Sequence, residues 1–152
     1  MPHGEYQRHS ASSPTARQTD ESALPGCALP QRGYQILQSA PEAKLVDVRS
    51  QAELDWVGYI PGAVEIEWAA YPNMNTNPHF IEQLEQQIGK EVPVMFLCRS
   101  GVRSHHAASL AAQTGYIDCY NILEGFEGNL DDKQHRSSVG GWRAAGLPWE
   151  QN

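Results

Sequence analysis

Apolar and polar residues follow one another along this chain in blocks that predict strands alternating with helices. Runs of apolar and β-branched residues predict strands at 44–48, 63–66, 92–97 and 117–123. Helical spacing of apolar residues, or a helix-start signal, predicts helices at 34–40, 50–56, 77–88, 104–114 and 142–145. Strands that alternate with helices imply an α/β fold in which helices cover both faces of a parallel sheet.

Local signals mark where some of these helices begin and end. Ser50 and Glu53 form a Ser-x-x-Glu capping box, and Asn77 followed by Pro78 is a good helix start. Gly115 is placed to end the helix at 104–114. Two interpretations of Glu53 stay open at this stage: a helix cap alone, or a carboxylate that positions an arginine of a functional site.

Length and composition predict one folded domain behind a polar tail. The chain has 152 residues, of which 40% are hydrophobic. Residues 1–28 are rich in Ser, Thr, Pro and Gln with few large apolar side chains, so we expect a disordered tail before a domain at 29–150. No apolar run approaches eighteen residues and the N-terminus lacks an apolar signal core, so neither a membrane span nor a secretory peptide is expected.

Charge and cysteine content indicate which partners and which cellular compartment to expect. Eighteen acidic residues against eleven basic ones give a formal charge of −7, which argues against nucleic acid as a partner. The three cysteines are widely spaced, in no pattern of metal ligands, so we expect no metal and no cofactor. Cytoplasm, where an exposed thiol stays reduced, is the expected compartment. Cys27 is interpreted as incidental, and Cys119 as a core residue, with a resolving cysteine as the weaker alternative.

The third cysteine, Cys98, has the setting of a nucleophile. It follows the predicted strand at 92–97 directly, and a short loop then leads into the helix at 104–114. In open α/β sheets, ligands bind outside the carboxyl ends of the strands. Loop amides, the helix dipole and the cations Arg99 and Arg103 would all favour a thiolate over a thiol. A cysteine that only fills a core needs no flanking cations, so we predict a reactive cysteine that handles anions.

The loop at 98–103 (Cys-Arg-Ser-Gly-Val-Arg) resembles the active-site loop of single-domain rhodaneses, the thiosulfate sulfurtransferases. Three more segments resemble this family: Leu-Val-Asp-Val-Arg at 45–49 followed by Glu53, Gly-Tyr-Ile-Pro-Gly-Ala at 58–63, and Gly-Trp-Arg-Ala-Ala-Gly-Leu-Pro-Trp at 141–149. The resemblance runs from about residue 30 to 150. It implies a rhodanese-like three-layer fold with a mainly parallel, five-stranded sheet. The histidine usual in the second segment is Tyr59 here, and we assign that position no catalytic role.

The resemblance implies an enzyme in which Cys98 attacks the outer sulfur of thiosulfate. The resulting persulfide would pass its sulfur to cyanide or a thiol, and a protein acceptor is an additional candidate. The residues expected to bind substrate or shape the site are Asp47, Arg49, Arg99, Ser100, Gly101, Val102 and Arg103. Arg99 is expected to guide the sulfonate of thiosulfate. For Arg103 the alternatives are the same role or a structural one, held by a carboxylate such as Asp47 or Glu53. For Arg49 the alternative is a surface cation.

Two other functions remain as alternatives. A phosphatase or arsenate reductase of related fold would use a cysteine–arginine loop for phosphate, but its signature is Cys-x5-Arg, whereas 98–103 is Cys-x4-Arg. A non-enzymatic module for binding or sulfur relay is the second alternative, and the intact Cys98 argues against pure binding. The polar segment at 129–140 either folds over the site and supplies Arg136 or is a surface excursion. His105 and His106 are expected to be solvated or packed.

Overall fold

The structure, a computed structural model, describes residues 24–152, so most of the predicted tail lies outside the described residues. Within this range no helix is long and apolar enough to cross a membrane. The elements in chain order are β1 (Gly26–Ala28), α1 (Pro30–Ser39), β2 (Lys44–Asp47), α2 (Gln51–Trp56), β3 (Val64–Glu65), β4 (Ala69–Ala70), β5 (Asn75–Thr76), α3 (Phe80–Gln87), β6 (Val94–Leu97), α4 (Val102–Gln113) and β7 (Cys119–Ile122).

Five strands form one parallel sheet in the order β1-β7-β6-β2-β3, which confirms the predicted α/β fold. β4 and β5 form a separate antiparallel ribbon, which the sequence pattern did not predict. In the sheet the strand that precedes Cys98, β6, is central: it pairs with β2 on one side and β7 on the other. The carboxyl ends of these parallel strands therefore lie at one edge of the sheet, with Cys98 among them.

The two faces of the sheet are covered by different elements. Val94 and Phe96 of β6 belong to a buried cluster with α3 and α4, whereas Met95 and Leu97 belong to a second cluster with α1 and Trp142. This alternation follows from the pleat, which sends successive side chains of a strand to opposite faces. It explains why the run at 92–97 is apolar throughout: β6 is covered on both sides.

The helix behind Cys98 packs on the sheet through small side chains. Four alanines of α4 are buried, at positions 107, 108, 111 and 112. Their spacing places them on one helical face, and a methyl side chain lets the helix axis approach the strands closely. Gly115, with φ of 112°, follows the end of α4 as predicted. α4 is therefore held with its amino-terminal end at the edge of the sheet that carries Cys98.

The predictions were wrong at both ends of the domain. Residues 26–28, assigned to the disordered tail, form edge strand β1 and pair with β7. Their side chains are small, so no apolar pattern predicts the strand. β1 is instead held by its backbone hydrogen bonds to β7. The helix predicted at 142–145 is a series of turns, because its backbone makes one α-turn bond, from Ala145 N–H to the Gly141 carbonyl, before Gly146. α1 begins at Pro30, earlier than predicted, since proline is well suited to the first helical position.

Candidate active site

Cys98 begins a tight loop between the end of β6 and the start of α4. The loop ends at Gly101, whose φ of 110° lies in the left-handed region that favours glycine. α4 then starts at Val102. The predicted order of strand, short loop and helix is therefore present, with the thiol at the carboxyl edge of the sheet.

The Sγ atom of Cys98 lies close to two polar groups. The N–H of Gly101 donates to it at 3.1 Å, and the hydroxyl of Ser104 lies 3.3 Å away. Cys98 itself is only 1% exposed, so its sulfur is screened from bulk water. The sequence predicted that several loop amides converge on this sulfur, whereas among the described residues Gly101 supplies the one backbone N–H within hydrogen-bonding distance of it. Ser104, buried in the first turn of α4, is the second polar group near this sulfur and was not among the predicted site residues. Because its one hydroxyl proton is donated to Asn121 Oδ1, Ser104 does not donate to the sulfur at the same time.

A side chain from the neighbouring strand fastens this loop. Asn121 of β7 donates from Nδ2 to the Gly101 carbonyl at 3.1 Å, and its Oδ1 lies 2.5 Å from the hydroxyl oxygen of Ser104. Asn121 is buried within a strand whose four residues are all buried. Sequence reasoning missed this residue. A single amide side chain in an otherwise apolar strand could have indicated it, because buried polar groups are normally hydrogen-bonded.

The backbone at Cys98 is also held by the segment 125–128. The N–H of Phe126 donates to the Cys98 carbonyl at 2.8 Å, and the N–H groups of Glu127 and Gly128 donate to the Arg99 carbonyl. The chain approaches so closely here because Gly125 has no side chain and adopts a φ of 62°. The start of the loop is therefore fixed by 125–128, and its end at Gly101 is fixed by Asn121.

Arg103 is held by Glu53 in a two-pronged ion pair. Nη1 and Nη2 of Arg103 lie 2.7 and 2.9 Å from the two carboxylate oxygens of Glu53, and both side chains are mostly buried. Burial acts to raise the pKa of Glu53, but the hydrogen bonds and charge of Arg103 and the bond from the Ser50 N–H outweigh it and lower that pKa to about 2. The capping box with Ser50 is also formed. Glu53 thus has both roles that the sequence left open, and Arg103 has the structural one.

Arg49 and Asp47 form a buried ion pair next to Phe126. Both side chains are fully buried, joined by an ion pair of 2.7 Å, and Arg49 also donates to the Gly58 carbonyl at 2.9 Å. The guanidinium of Arg49 lies over the ring of Phe126, 4.1 Å from its centroid. The surface-cation alternative for Arg49 is therefore wrong, whereas the prediction that these two residues bind substrate or shape the site stays a prediction. They support Phe126, whose N–H holds the carbonyl of Cys98.

The remaining loop residues face outward. Arg99 and Val102 are exposed, and Ser100 is half-buried. Within residues 24–152 no hydrogen bond or ion pair is formed by the guanidinium of Arg99. Because Arg103 is neutralised by Glu53, the charge of Arg99 is the one the loop offers to an anion.

Several residues considered from the sequence lie away from the thiol. His105 and His106 are exposed on α4 with their rings 5.6 Å apart. The hydroxyl of Tyr59 donates to Glu150 at 3.0 Å. Arg136 donates to the Gly128 carbonyl at 2.8 Å, which ties the segment 129–140 to the chain just before it.

Cys119 is a buried core residue, as predicted. Burial, together with the nearby charge of Asp118, raises the pKa of its thiol. Cys27 is half-buried in β1, and none of the three cysteines forms a disulfide. Neither Cys27 nor Cys119 has the loop environment that surrounds Cys98.

Comparison with known proteins gives a consistent result. The family model described as "Rhodanese-like domain" matches residues 30–131. An uncharacterized protein, RP600 of Rickettsia prowazekii, is 38% identical over 121 residues, which are 78% of this chain and 92% of that protein. The thiosulfate sulfurtransferase GlpE of Actinobacillus succinogenes is 26% identical over 121 residues, 80% of this chain and 86% of GlpE. The crystal structure of Rv0390 from M. tuberculosis is 42% identical and superposes with a TM-score of 0.76 over 82% of this chain and 96% of Rv0390.

The ion pair between Arg103 and Glu53 should contribute measurably to stability. We expect Arg103→Ala to lower the free energy of unfolding at pH 7 by about 1–3 kcal/mol, since it leaves a mostly buried carboxylate without its cation. The pKa of Glu53 is lower in the folded protein than its ordinary 4.5. The contribution is therefore complete above pH 4.5 and is lost as the pH falls toward 2.

Glu53→Gln tests the charge separately, because glutamine can still complete the capping box. The difference in unfolding free energy between wild type and Glu53→Gln, measured by urea denaturation, should shrink between pH 5 and pH 3. Glu82→Gln, at an exposed helix position, is the matched control. Equal stability of wild type and Arg103→Ala at pH 7 would contradict the structural role of Arg103.

Gly125→Ala should destabilise the protein more than an alanine at another left-handed glycine. An added Cβ at Gly125 would meet the backbone carbonyl groups of Cys98 and Arg99, the latter at 2.6 Å, whereas Gly62, with φ of 85°, has nothing within 4 Å. Gly62→Ala should cost about 1–2 kcal/mol from its conformation alone. Gly125→Ala should cost about 1–3 kcal/mol more because the backbone must shift. Urea denaturation of both variants tests this, and equal losses would show that 125–128 does not hold the loop.

Proposed function

Because this chain belongs to the rhodanese-like domain family, which includes thiosulfate sulfurtransferases such as GlpE, we propose that it transfers sulfur from thiosulfate through a persulfide on Cys98 to cyanide or a thiol. The observation that carries the proposal is the environment of Cys98. This residue begins a Cys-x4-Arg loop, and its sulfur accepts a hydrogen bond from the Gly101 N–H. Arg99 follows it in the chain, and the guanidinium of Arg99 has no partner in the part of the chain that the structure describes. Cys98 is the proposed nucleophile and Arg99 the proposed ligand of the anionic donor.

The first half of the reaction is a displacement at the outer sulfur of thiosulfate. The thiolate of Cys98 attacks that sulfur, a new S–S bond forms, and the old one breaks with its electron pair leaving on sulfite. The charge of Arg99 would draw the sulfonate group of thiosulfate to the mouth of the loop. Ser100, Gly101 and Val102 would border the same space, whereas Arg103 acts by keeping the loop in place through Glu53.

The persulfide product needs stabilisation of its terminal negative charge. Its outer sulfur lies one S–S bond, about 2 Å, beyond Sγ. α4 begins at Val102, and the first N–H groups of a helix have no partner within the helix. These groups, with the positive end of the helix dipole, would stabilise an anionic sulfur at that position.

The second half of the reaction returns the enzyme to its starting state. Cyanide or a thiolate attacks the outer sulfur, the S–S bond to Sγ breaks, and the electron pair returns to Cys98. No net oxidant is needed, since the sulfur atom simply moves from one nucleophile to another. Three cysteines without disulfides suit a reducing compartment such as the cytoplasm, which we propose as the place of action.

Thiosulfate should add the mass of one sulfur atom to the wild-type protein, and cyanide should remove it. Cys98→Ser should take up none, because the nucleophile is gone. Cys27→Ser and Cys119→Ser are the matched controls and should behave like the wild type, since neither thiol lies in the loop. The mass of each of the four proteins is measured by intact-mass spectrometry before and after each treatment. Sulfur uptake by Cys98→Ser would refute the assignment of the nucleophile, and its absence in the wild type would favour a relay or binding module.

The protein should not hydrolyse aryl phosphates. Its loop has four residues between cysteine and arginine, one fewer than the phosphatase signature, and a displacement of ~1 Å at a reacting centre can cost ~100-fold in rate. The release of the aryl alcohol is measured at high protein concentration, with Cys98→Ser as the background. Turnover by the wild type that Cys98→Ser abolishes would establish the phosphatase alternative.

A further inference from the structure

The negative charge at Cys98 changes its place during the proposed reaction. In the thiolate the charge lies on Sγ, whereas in the persulfide Sγ is a neutral atom with two covalent bonds and the charge lies on the outer sulfur. A hydrogen bond that is always donated to Sγ stabilises the thiolate alone. A donor that can turn toward Sγ and away from it suits both states, and a hydroxyl group, unlike a backbone N–H, can turn in this way.

Ser104 lies between two hydrogen-bond acceptors. Its hydroxyl oxygen is 3.3 Å from Sγ of Cys98 and 2.5 Å from Oδ1 of Asn121. A hydroxyl has one proton, so Ser104 donates to one of these acceptors at a time. All three residues are at most 5% exposed, so bulk water does not compete for this proton. The direction of the Ser104 hydroxyl is therefore a choice between the sulfur and the amide.

The amide of Asn121 is held with its oxygen toward Ser104. Its Nδ2 donates to the Gly101 carbonyl at 3.1 Å. A carbonyl only accepts, so the amide cannot exchange its nitrogen and oxygen without losing this bond. Asn121 also belongs to β7, which is paired with β6 on one side and β1 on the other. The amide oxygen therefore stays in place while the hydroxyl turns.

The charge on Sγ determines which acceptor receives the proton. Hydrogen bonds to an ionised acceptor are about twice as strong as those between neutral groups. A thiolate at Sγ therefore attracts the hydroxyl of Ser104 more strongly than the amide oxygen does. When Sγ is neutral the amide is the better acceptor, because divalent sulfur accepts hydrogen bonds weakly. The hydroxyl turns about its C–O bond, and no heavy atom has to move.

We propose that the hydroxyl of Ser104 changes its partner in each catalytic cycle, donating to Asn121 in the persulfide and to Sγ of Cys98 in the thiolate. The inference rests on the proposed function, and it assigns Ser104 as a catalytic residue and Asn121 as a positioning residue that acts through it. When cyanide attacks the outer sulfur, the S–S bond breaks and its electron pair moves to Sγ. The hydroxyl turns toward Sγ as this charge develops, and its proton stays on oxygen throughout.

The charged groups around the sulfur lie outside the hydrogen bonds of this hydroxyl. On the elements that meet at this edge of the sheet they are Asp47, Arg49, Glu53, Arg99, Arg103 and Glu127. The hydrogen bond from Glu53 is the main cause that raises the pKa of Arg103, so Arg103 stays charged wherever a thiol ionises. Uncharged substitutions at Ser104 or Asn121 leave all six groups in place, so such variants report on the hydroxyl.

Discharge of the persulfide tests the role of Ser104. Full-length protein is loaded with thiosulfate, freed of the excess and mixed with cyanide, and intact mass follows the loss of sulfur. Ser104→Ala should slow this step about tenfold, because a hydrogen bond to a charged group is lost. Ser104→Thr, which keeps a hydroxyl, should restore most of the rate. Thr114→Ala is the matched control, since the hydroxyl of Thr114 bonds to the Ala111 carbonyl at the other end of α4.

A pH profile tests whether Asn121 acts through Ser104. The rate at which iodoacetamide alkylates Cys98 is measured without thiosulfate, across the range in which thiols ionise, by mass spectrometry of the peptide that carries it. Ser104→Ala should move the midpoint upward by about half a pH unit, a threefold change in the thiolate present. Asn121→Leu should move it downward, because the hydroxyl can then donate to Sγ permanently. In the Ser104→Ala protein, Asn121→Leu should not lower the midpoint.

The direction of the second shift separates this role from a structural one. Asn121→Leu also releases the Gly101 carbonyl, but a loosened loop would carry the Gly101 N–H away from Sγ and raise the midpoint. If Ser104→Ala and Asn121→Leu both raise it, the two residues only hold the loop and the inference is wrong. If Asn121→Leu does not fold, the contrast between Ser104→Ala and Ser104→Thr in discharge decides.

Failure of the inference is distinguishable from failure of the proposed function. If thiosulfate loads Cys98 and Ser104→Ala discharges as fast as the wild type, the hydroxyl takes no part, and the inference is refuted while the proposed function stands. If thiosulfate adds no sulfur to Cys98, the proposed function fails, and the change of partner during catalysis fails with it.

Discussion

The hydrogen bond between the Cys98 carbonyl and the N–H of Phe126 is the contact on which the arrangement of this site depends most directly. It fixes the backbone where β6 ends and the loop begins, whereas Asn121 fixes the end of the loop at Gly101. A nucleophile that must attack a small anion gains much of its advantage from being held in one place, because the entropy of positioning is lost before the reaction. The buried sheet behind the loop supplies that rigidity, since β6 is paired on both sides and covered on both faces.

The arginines around the site divide by whether they are neutralised within the protein. Arg49 is paired with Asp47 and Arg103 with Glu53, and each pair holds backbone in place: Arg49 binds the Gly58 carbonyl, and Glu53 caps α2. A buried guanidinium needs such a carboxylate, because an unpaired charge cannot be removed from water at acceptable cost. Arg99, which is exposed, needs none. Burial therefore separates the cations that support the site from the cation that can meet a substrate.

Local signals were enough to predict the elements that form the site. The strand at 94–97 was predicted because both of its faces are apolar, and the capping box of α2 because its two residues lie in one turn. β1 and the β4–β5 ribbon were missed because their strands, two or three residues long, are too short to show a pattern. The partner of β1, β7, is also far away in the chain. The turns at 142–145 were predicted as a helix because their composition suits one. Composition does not indicate the hydrogen bond that the Trp142 indole N–H donates to the Pro148 carbonyl.

The sequence alone determined the fold class, the place of Cys98 directly after a strand and the length of its loop. Each of these depends on neighbours in the chain, so a pattern of residues is sufficient to predict it. Only the tertiary structure decided which carboxylate pairs with which arginine, that Asp47 and Arg49 are fully buried, and that Asn121 holds the loop through Gly101 and Ser104. These facts depend on which strands are adjacent and how deeply a side chain is buried. Residues far apart in the chain, such as Glu53 and Arg103, meet only when the sheet brings the carboxyl ends of its strands to one edge.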